Sequence, residues 1–252
     1  DLKEVENKYH IKESSQVQTK SKVFEVRNED FKALYLEQKK PNNFDIDNFE
    51  HTGLSSAPKY PDDVIEMINE RTGQMNIGPL FWTPTIEGLY NYTDVIKSNE
   101  HLDNNSWHLG LPDSIIIDIK NSIKKPGELP YFQLTPIRKP TLKTKFNQLR
   151  NSGVVMMIGT DSGIPMKFHS QSTWNELDVW VNIMEVDPLD AIKSATYWPS
   201  FFMGVSENVG TISVGKQADI IAVKGNVLKY ISLLQNVDLV MKKGKIYKNS
   251  SL

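Results

Sequence analysis

The stretch "VVMMIGTDSGIP", residues 154–165, decides the fold. It opens with a continuously apolar run, which is typical of a parallel strand buried on both faces. The run ends in Thr-Asp-Ser-Gly, so Asp161 stands where a buried strand opens to solvent. Folds with parallel strands build active sites at the carboxyl ends of those strands, which makes Asp161 a candidate for chemistry. Asp, Ser and Gly are also common in turns and helix N-caps, and that alternative stays open.

Strand and helix patterns alternate on both sides of this stretch. Apolar periodicity predicts strands at 21–27, 44–49, 77–85 and 154–159, and helices at 2–10, 60–73, 112–123, 141–153, 173–184 and 187–196. Asp187 is the predicted N-cap of the last helix. The alternation predicts a parallel α/β core. The segment 86–140, rich in Asn, Pro and Gly around one helix, is interpreted as an insertion over one end of the fold.

After Gly204 the pattern changes to short alternating strands with glycine turns. The segments 209–226 and 237–249 carry this pattern, and Lys243-Gly244 predicts a hairpin turn. The chain is therefore predicted to comprise an α/β region over 1–205 and a small all-β region over 206–252.

Composition excludes several classes of function. The 252 residues carry 29 Lys and Arg against 31 Asp and Glu, and the two signs are well mixed along the chain. Because there is no basic stripe to neutralise phosphates, we do not expect nucleic acid as a partner. No apolar run approaches the roughly 18 residues of a membrane span, and we expect a soluble chain. There are no cysteines, so any metal would be held by His, Asp and Glu. The sequence does not decide between a cytoplasmic and an exported protein.

Three polar residues lie at predicted strand or loop ends: His51, Asp161 and His169. An imidazole and a carboxylate that converge at one sheet edge can bind a divalent ion, and the carboxylate can take a proton from water. The alternative is that His51 caps a loop and Asp161 caps the next helix. The chain has no His-x-His and no His-Glu-x-x-His motif, so spacing alone does not decide.

The carboxyl-terminal sequence carries a family resemblance. "GTISVGKQADIIAVKGNVL" followed by "VDLVMKKGKIYK" resembles the signature of the metal-dependent amidohydrolase superfamily, in particular its imidazolonepropionase-like and Xaa-Pro or Xaa-Arg dipeptidase-like branch. "IGTDSGIP" and "DNFEHTG" are similar to its eighth and sixth barrel strands. The resemblance implies the C-terminal part of a (β/α)8 TIM-like barrel over 1–205, with 206–252 supplying strands of a composite β-sandwich.

The resemblance also implies site residues and a reaction. Asp161 would bind metal and shuttle the proton, and His51 would bind the second ion of a centre with one or two divalent ions, zinc preferred. His169 would contact a small-molecule substrate. The implied reaction is hydrolysis of an amide, cyclic amide or dipeptide C–N bond by metal-activated water. Arg27 and Arg138 are candidates to hold a substrate carboxylate.

The sequence departs from the family pattern at its amino-terminal end. The strand-one His-x-His and the strand-four bridging residue have no counterpart, and Glu25 stands near the expected strand-five histidine. Glu25 is either a replacement metal ligand or one residue out of register. We therefore expect a missing N-terminal portion or another chain to complete the barrel. A homo-oligomer is a separate expectation. Two alternatives remain: a noncatalytic relative that binds a small molecule or partner subunit, and an unrelated small α/β protein.

Overall fold

A computed structural model describes residues 23–25, 46–51, 57–74, 78–90, 110–124, 130–163 and 167–250. The elements in chain order are β1 (Val23–Glu25), β2 (Asn48–Glu50), α1 (Asp62–Thr72), β3 (Phe81–Thr83), α2 (Asp113–Ile123), α3 (Pro130–Asn151), β4 (Val155–Met156), α4 (Ser172–Asn182), α5 (Pro188–Ala195), α6 (Tyr197–Phe202), β5 (Ile220–Ala222), a 3-10 helix (Ile231–Gln235), β6 (Leu239–Lys242) and β7 (Lys245–Asn249). The predicted helix at 2–10 lies outside the described residues.

The first four strands form one parallel sheet in the order β1-β2-β3-β4. The register aligns Glu25 with Glu50, and Glu50 with Thr83. The ladder between β3 and β4 continues one residue further, since the amide of Met157 donates to the carbonyl of Trp82 at 2.8 Å. All four carboxyl ends therefore lie at the same edge of the sheet.

An aromatic cluster packs the sheet against its helices. Trp82 of β3 is fully buried, with its ring centroid 6.1 Å from that of Phe49 and 5.3 Å from that of Phe146. Phe146 of α3 in turn meets Trp180 of α4 at 5.4 Å. Trp82, the central residue of β3, packs against these helices on one face of the sheet. Successive side chains of a strand alternate between faces, so Phe81 and Thr83 are directed to the opposite face.

Most predicted elements are confirmed, with two corrections. The N-cap Asp187 accepts hydrogen bonds from the amides of Leu189 (2.8 Å) and Asp190 (3.4 Å), as predicted. The strand predicted over 154–159 is shorter, with β4 limited to Val155–Met156. Its last hydrogen bond to β3 is that of the Met157 amide, and the amide of Ile158 donates instead to the carbonyl of Ser194 in α5 at 2.9 Å. The prediction that a helix begins at 141 was wrong, since α3 begins at Pro130.

The extra turns of α3 include Pro136 and Pro140. Proline removes a helix hydrogen bond, which is why the sequence predicted a boundary there. Both prolines are exposed, so their rings lie on the solvent side of the helix. The hydroxyl of Thr141 also donates to the carbonyl of Arg138 at 2.9 Å, which adds a bond within this part of the helix.

The carboxyl-terminal strands form a separate antiparallel sheet in the order β5-β6-β7. Lys242 pairs with Lys245 across the predicted hairpin turn, in which Lys243 and Gly244 both have positive φ values of 49° and 75°. Those angles are what a two-residue type I′ turn requires. That this sheet belongs to a β-sandwich stays a prediction. Within the described ranges, no helix is both long and apolar enough to cross a membrane.

Candidate active site

Three non-glycine residues with left-handed backbone follow three neighbouring strands. They are His51 after β2 (φ 63°), Thr85 after β3 (φ 50°) and Asp161 after β4 (φ 49°). Residues with a Cβ seldom adopt this conformation, and such outliers concentrate at functional sites. The two candidates of the sequence analysis thus share this backbone feature and this edge of the sheet with a third residue.

His51 is anchored to β3 through its backbone and its ring. Its amide donates to the carbonyl of Thr83 at 2.8 Å, and its carbonyl accepts from the indole Nε1 of Trp82 at 3.0 Å. The ring atom Nδ1 lies 2.5 Å from Oγ1 of Thr85. The partly buried imidazole therefore has a fixed position at the end of the sheet.

A buried charged cluster lies behind Thr85. Nζ of Lys167 donates to the carbonyl of Thr85 at 3.0 Å and lies 3.9 Å from Oε1 of Glu87. Lys167 is 4% exposed and Glu87 1% exposed, so both charges are removed from water and depend on each other. Because Lys167 belongs to the segment after β4, this cluster connects the loops that follow β3 and β4.

Glu176 of α4 completes the cluster. Its carboxylate oxygens accept from the amides of Ile86 (3.0 Å) and Glu87 (2.7 Å) and from the indole of Trp180 (2.8 Å). Burial raises the pKa of Glu176, against the opposing effects of the Lys167 ammonium and these three hydrogen bonds. The carboxylate thus fixes the backbone immediately after Thr85.

Asp161 and His169 lie near a backbone hydrogen bond that joins their two segments. The amide of Gly163 donates to the carbonyl of Lys167 at 3.1 Å. A Cβ on Gly163 would lie 3.8 Å from Cε1 of His169, so that imidazole packs beside the segment that carries Asp161. Both side chains are exposed and accessible to a solute. The structure therefore brings His169 to the same loop as the candidate acid.

The three remaining candidates from the sequence are Glu25, Arg138 and Arg27. Glu25 ends β1 at the register of Glu50, one residue before the level of His51. Arg138 lies on α3, where it contributes to lowering the pKa of Lys145. Arg27 lies outside the described residues. The roles assigned to all three stay predictions.

The side chains of His51 and Asp161 are of the types that bind divalent cations, but they are fewer than a metal site needs. An imidazole and a carboxylate are suitable ligands, and the buried Oγ of Ser162, beside Asp161, has no hydrogen-bond partner among the described residues. A catalytic zinc site takes three protein ligands. Across the described part of the chain, no group of three or more His, Cys, Asp or Glu residues is placed to hold a metal ion. His51 and Asp161 therefore form at most part of a ligand set.

Sequence comparison decides the family. The sequence model of the amidohydrolase family matches residues 89–247, more than half of the chain. The chain belongs to the amidohydrolase family. Among curated proteins, none matches this amidohydrolase chain in sequence.

Solved structures show the same fold. A Xaa-Pro dipeptidase with bound methionine in its active site is 23% identical with a TM-score of 0.59, over 90% of this chain and 44% of its own. An amidohydrolase is 20% identical with a TM-score of 0.52, over 90% and 49%. The A. niger ochratoxinase is 21% identical with a TM-score of 0.51, over 82% and 38%. This amidohydrolase chain thus spans less than half the length of these relatives, which is consistent with the predicted partial barrel.

Sequence reasoning missed the residues that support the site: Thr85, Glu87, Lys167 and Glu176. One of them carried a signal. Glu176 is an acid four residues before Trp180 on the apolar face of a predicted helix, where a charge requires a buried partner. Lys167 stands in a polar loop and gave no comparable signal.

Proposed function

We propose that this chain forms part of a metal-dependent hydrolase that cleaves amide, cyclic amide or dipeptide C–N bonds. The observation that carries the proposal is the position of His51 and Asp161 at one edge of a parallel sheet, each with left-handed backbone, in a member of the amidohydrolase family. The dipeptidase among the structural relatives supports a dipeptide as the first substrate class to test.

The roles follow from the chemistry of the side chains. Divalent metal, zinc preferred, would be held by Asp161 and, as a second ion, by His51, with Glu25 as a further candidate ligand. It would supply Lewis acidity toward the substrate carbonyl and the attacking water. The Asp161 carboxylate would take the proton from that water and deliver it to the departing nitrogen. His169, exposed on the same loop, would contact the substrate. Arg27 and Arg138 remain candidates for a substrate carboxylate.

The experiment measures hydrolysis of a panel of Xaa-Pro dipeptides and cyclic amides by the protein from its native source and by its Asp161→Asn variant. Loss of the proton-transfer group should lower kcat by about 100-fold or more. Asp190→Asn is the matched control, because Asp190 is an exposed acid that pairs with Lys193 on the surface of α5. An Asp161→Asn variant with the activity of the parent protein would reject the role assigned to Asp161.

A second candidate is a noncatalytic relative that binds a small molecule or a partner subunit. It is favoured by the lack of a three-residue ligand group among the described residues. Zinc titration by calorimetry separates the two candidates. Zinc binding that weakens in both His51→Gln and Asp161→Asn supports the hydrolase, whereas zinc affinity that is unchanged in both variants supports the noncatalytic relative.

A further inference from the structure

The unfavourable backbone conformation of Thr85 is stabilised by hydrogen bonds to neighbouring residues. Its φ of 50° is unfavourable for a β-branched side chain. Its own carbonyl accepts from Lys167, and the amides of the next two residues donate to Glu176. Lys167 is 4% exposed and Glu176 is fully buried, so both anchors lie in the interior of the protein.

The side chain of Thr85 forms a hydrogen bond with the His51 ring. Oγ1 lies 2.5 Å from Nδ1, and the backbone of His51 is bonded to Thr83 and Trp82 of the same β3 segment. Both ends of the contact are therefore fixed to one strand. A threonine hydroxyl can accept from Nδ1–H or donate to a bare Nδ1, so the contact holds the ring in place and the role of Nε2 decides which nitrogen carries the proton.

We propose that Thr85 is a positioning residue that sets the tautomer of His51. Nδ1–H donates to Oγ1 of Thr85, and the lone pair of the ring is carried by Nε2. The inference deepens the proposed function and rests on it, because a ring that binds a cation through Nε2 must carry its proton on Nδ1. In the opposite arrangement Thr85 donates to Nδ1, the proton lies on Nε2, and the ring presents no lone pair there.

The test is a long-range ¹H–¹⁵N correlation spectrum of the 252-residue chain, labelled at histidine, free of metal and at a pH where the rings are neutral. The chain has five histidines, and the His51 signals are those lost in His51→Gln. We expect the Nδ1–H pattern for His51 in the parent chain. The Nε2–H pattern in the parent chain would overturn the proposal.

Three substitutions of Thr85 isolate the hydroxyl. Thr85→Val keeps the β-branched shape and loses the hydroxyl, so the His51 signals should shift to the Nε2–H pattern or to a mixture. Thr85→Ser keeps the hydroxyl and should restore the parent pattern. Thr85→Gly accepts the left-handed backbone without a hydroxyl, and it serves if the valine variant does not fold. An unchanged Nδ1–H pattern in a folded variant that lacks the hydroxyl contradicts the positioning role.

Zinc titration of the same samples separates this inference from the proposed function. For this step the chain is titrated together with the further chain or subunit proposed to complete the site. There, an Nδ1–H pattern with His51 signals that do not respond to Zn²⁺ would reject the metal role and leave the tautomer assignment in place. His51 signals that respond to Zn²⁺ equally in the parent chain and in Thr85→Val, with no change of tautomer, would reject the positioning role alone.

Discussion

Gly159, three residues after β4, lies too close to Thr83 of β3 for a side chain. A Cβ built on it would lie 2.3 Å from Cγ2 of Thr83 and 3.2 Å from Cγ2 of Thr85. We expect Gly159→Ala to lower the free energy of unfolding by about 1–3 kcal/mol, the range for overpacking a core position. Urea denaturation of the parent chain and the variant measures this difference in the free energy of unfolding. Thr83→Ser removes the clashing methyl, so the double variant should regain most of the loss, and a double variant no more stable than Gly159→Ala would contradict this account.

Single residues were predictable from the sequence only where chemistry and pattern coincide. His51 and Asp161 each follow an apolar run, and such positions lie at the active-site edge of a parallel sheet. Thr85 and Lys167 act through contacts between loops that follow different strands, and their sequence separation of 82 residues hides that contact from any local pattern. The left-handed backbone at non-glycine residues was likewise invisible, because the sequence signal for that conformation is glycine.

At the scale of the element, helix α3 contains a buried lysine. Lys145 is 1% exposed, and burial, with a further effect of Arg138, lowers its pKa from 10.5 to about 8. Between these values the unfolded chain binds more protons than the folded one, so this residue makes stability rise with pH from about 8 to 10.5. We expect Lys145→Met to remove this rise, as measured by urea denaturation at pH 7.5, 9 and 10.

The control for this prediction is Lys143→Met, since Lys143 lies on the same helix but is exposed and pairs with Glu185 at 2.7 Å. Its pH dependence should match that of the parent chain, because a surface pair contributes little to stability. A Lys145→Met variant that keeps the parent's rise between pH 8 and 10 would show that other groups cause it.

Elements were predicted well where the signal is local. The N-cap Asp187 and the hairpin turn at Lys243-Gly244 were correct because short-range hydrogen bonds and backbone angles determine both. The start of α3 was missed because the solvent exposure that makes Pro136 and Pro140 tolerable is a property of the packed molecule. Helix boundaries at proline thus depend on tertiary structure.

At the scale of the whole molecule, the chain covers 44% of the Xaa-Pro dipeptidase to which it is similar, and the described residues provide too few metal ligands for a catalytic zinc site. We propose that further chain or a second subunit completes the site. The expected intact denatured mass of the protein from its native source is therefore above 28.7 kDa, or a second polypeptide co-purifies with it. A homogeneous, catalytically active 28.7 kDa protein without a second polypeptide would contradict this proposal.

The left-handed backbone at His51, Thr85 and Asp161 has a consequence for protein engineering. Glycine would adopt these three conformations with less strain, so folding alone disfavours the side chains that are present. Selection for heat resistance without selection for turnover should therefore accumulate glycine at these three positions early.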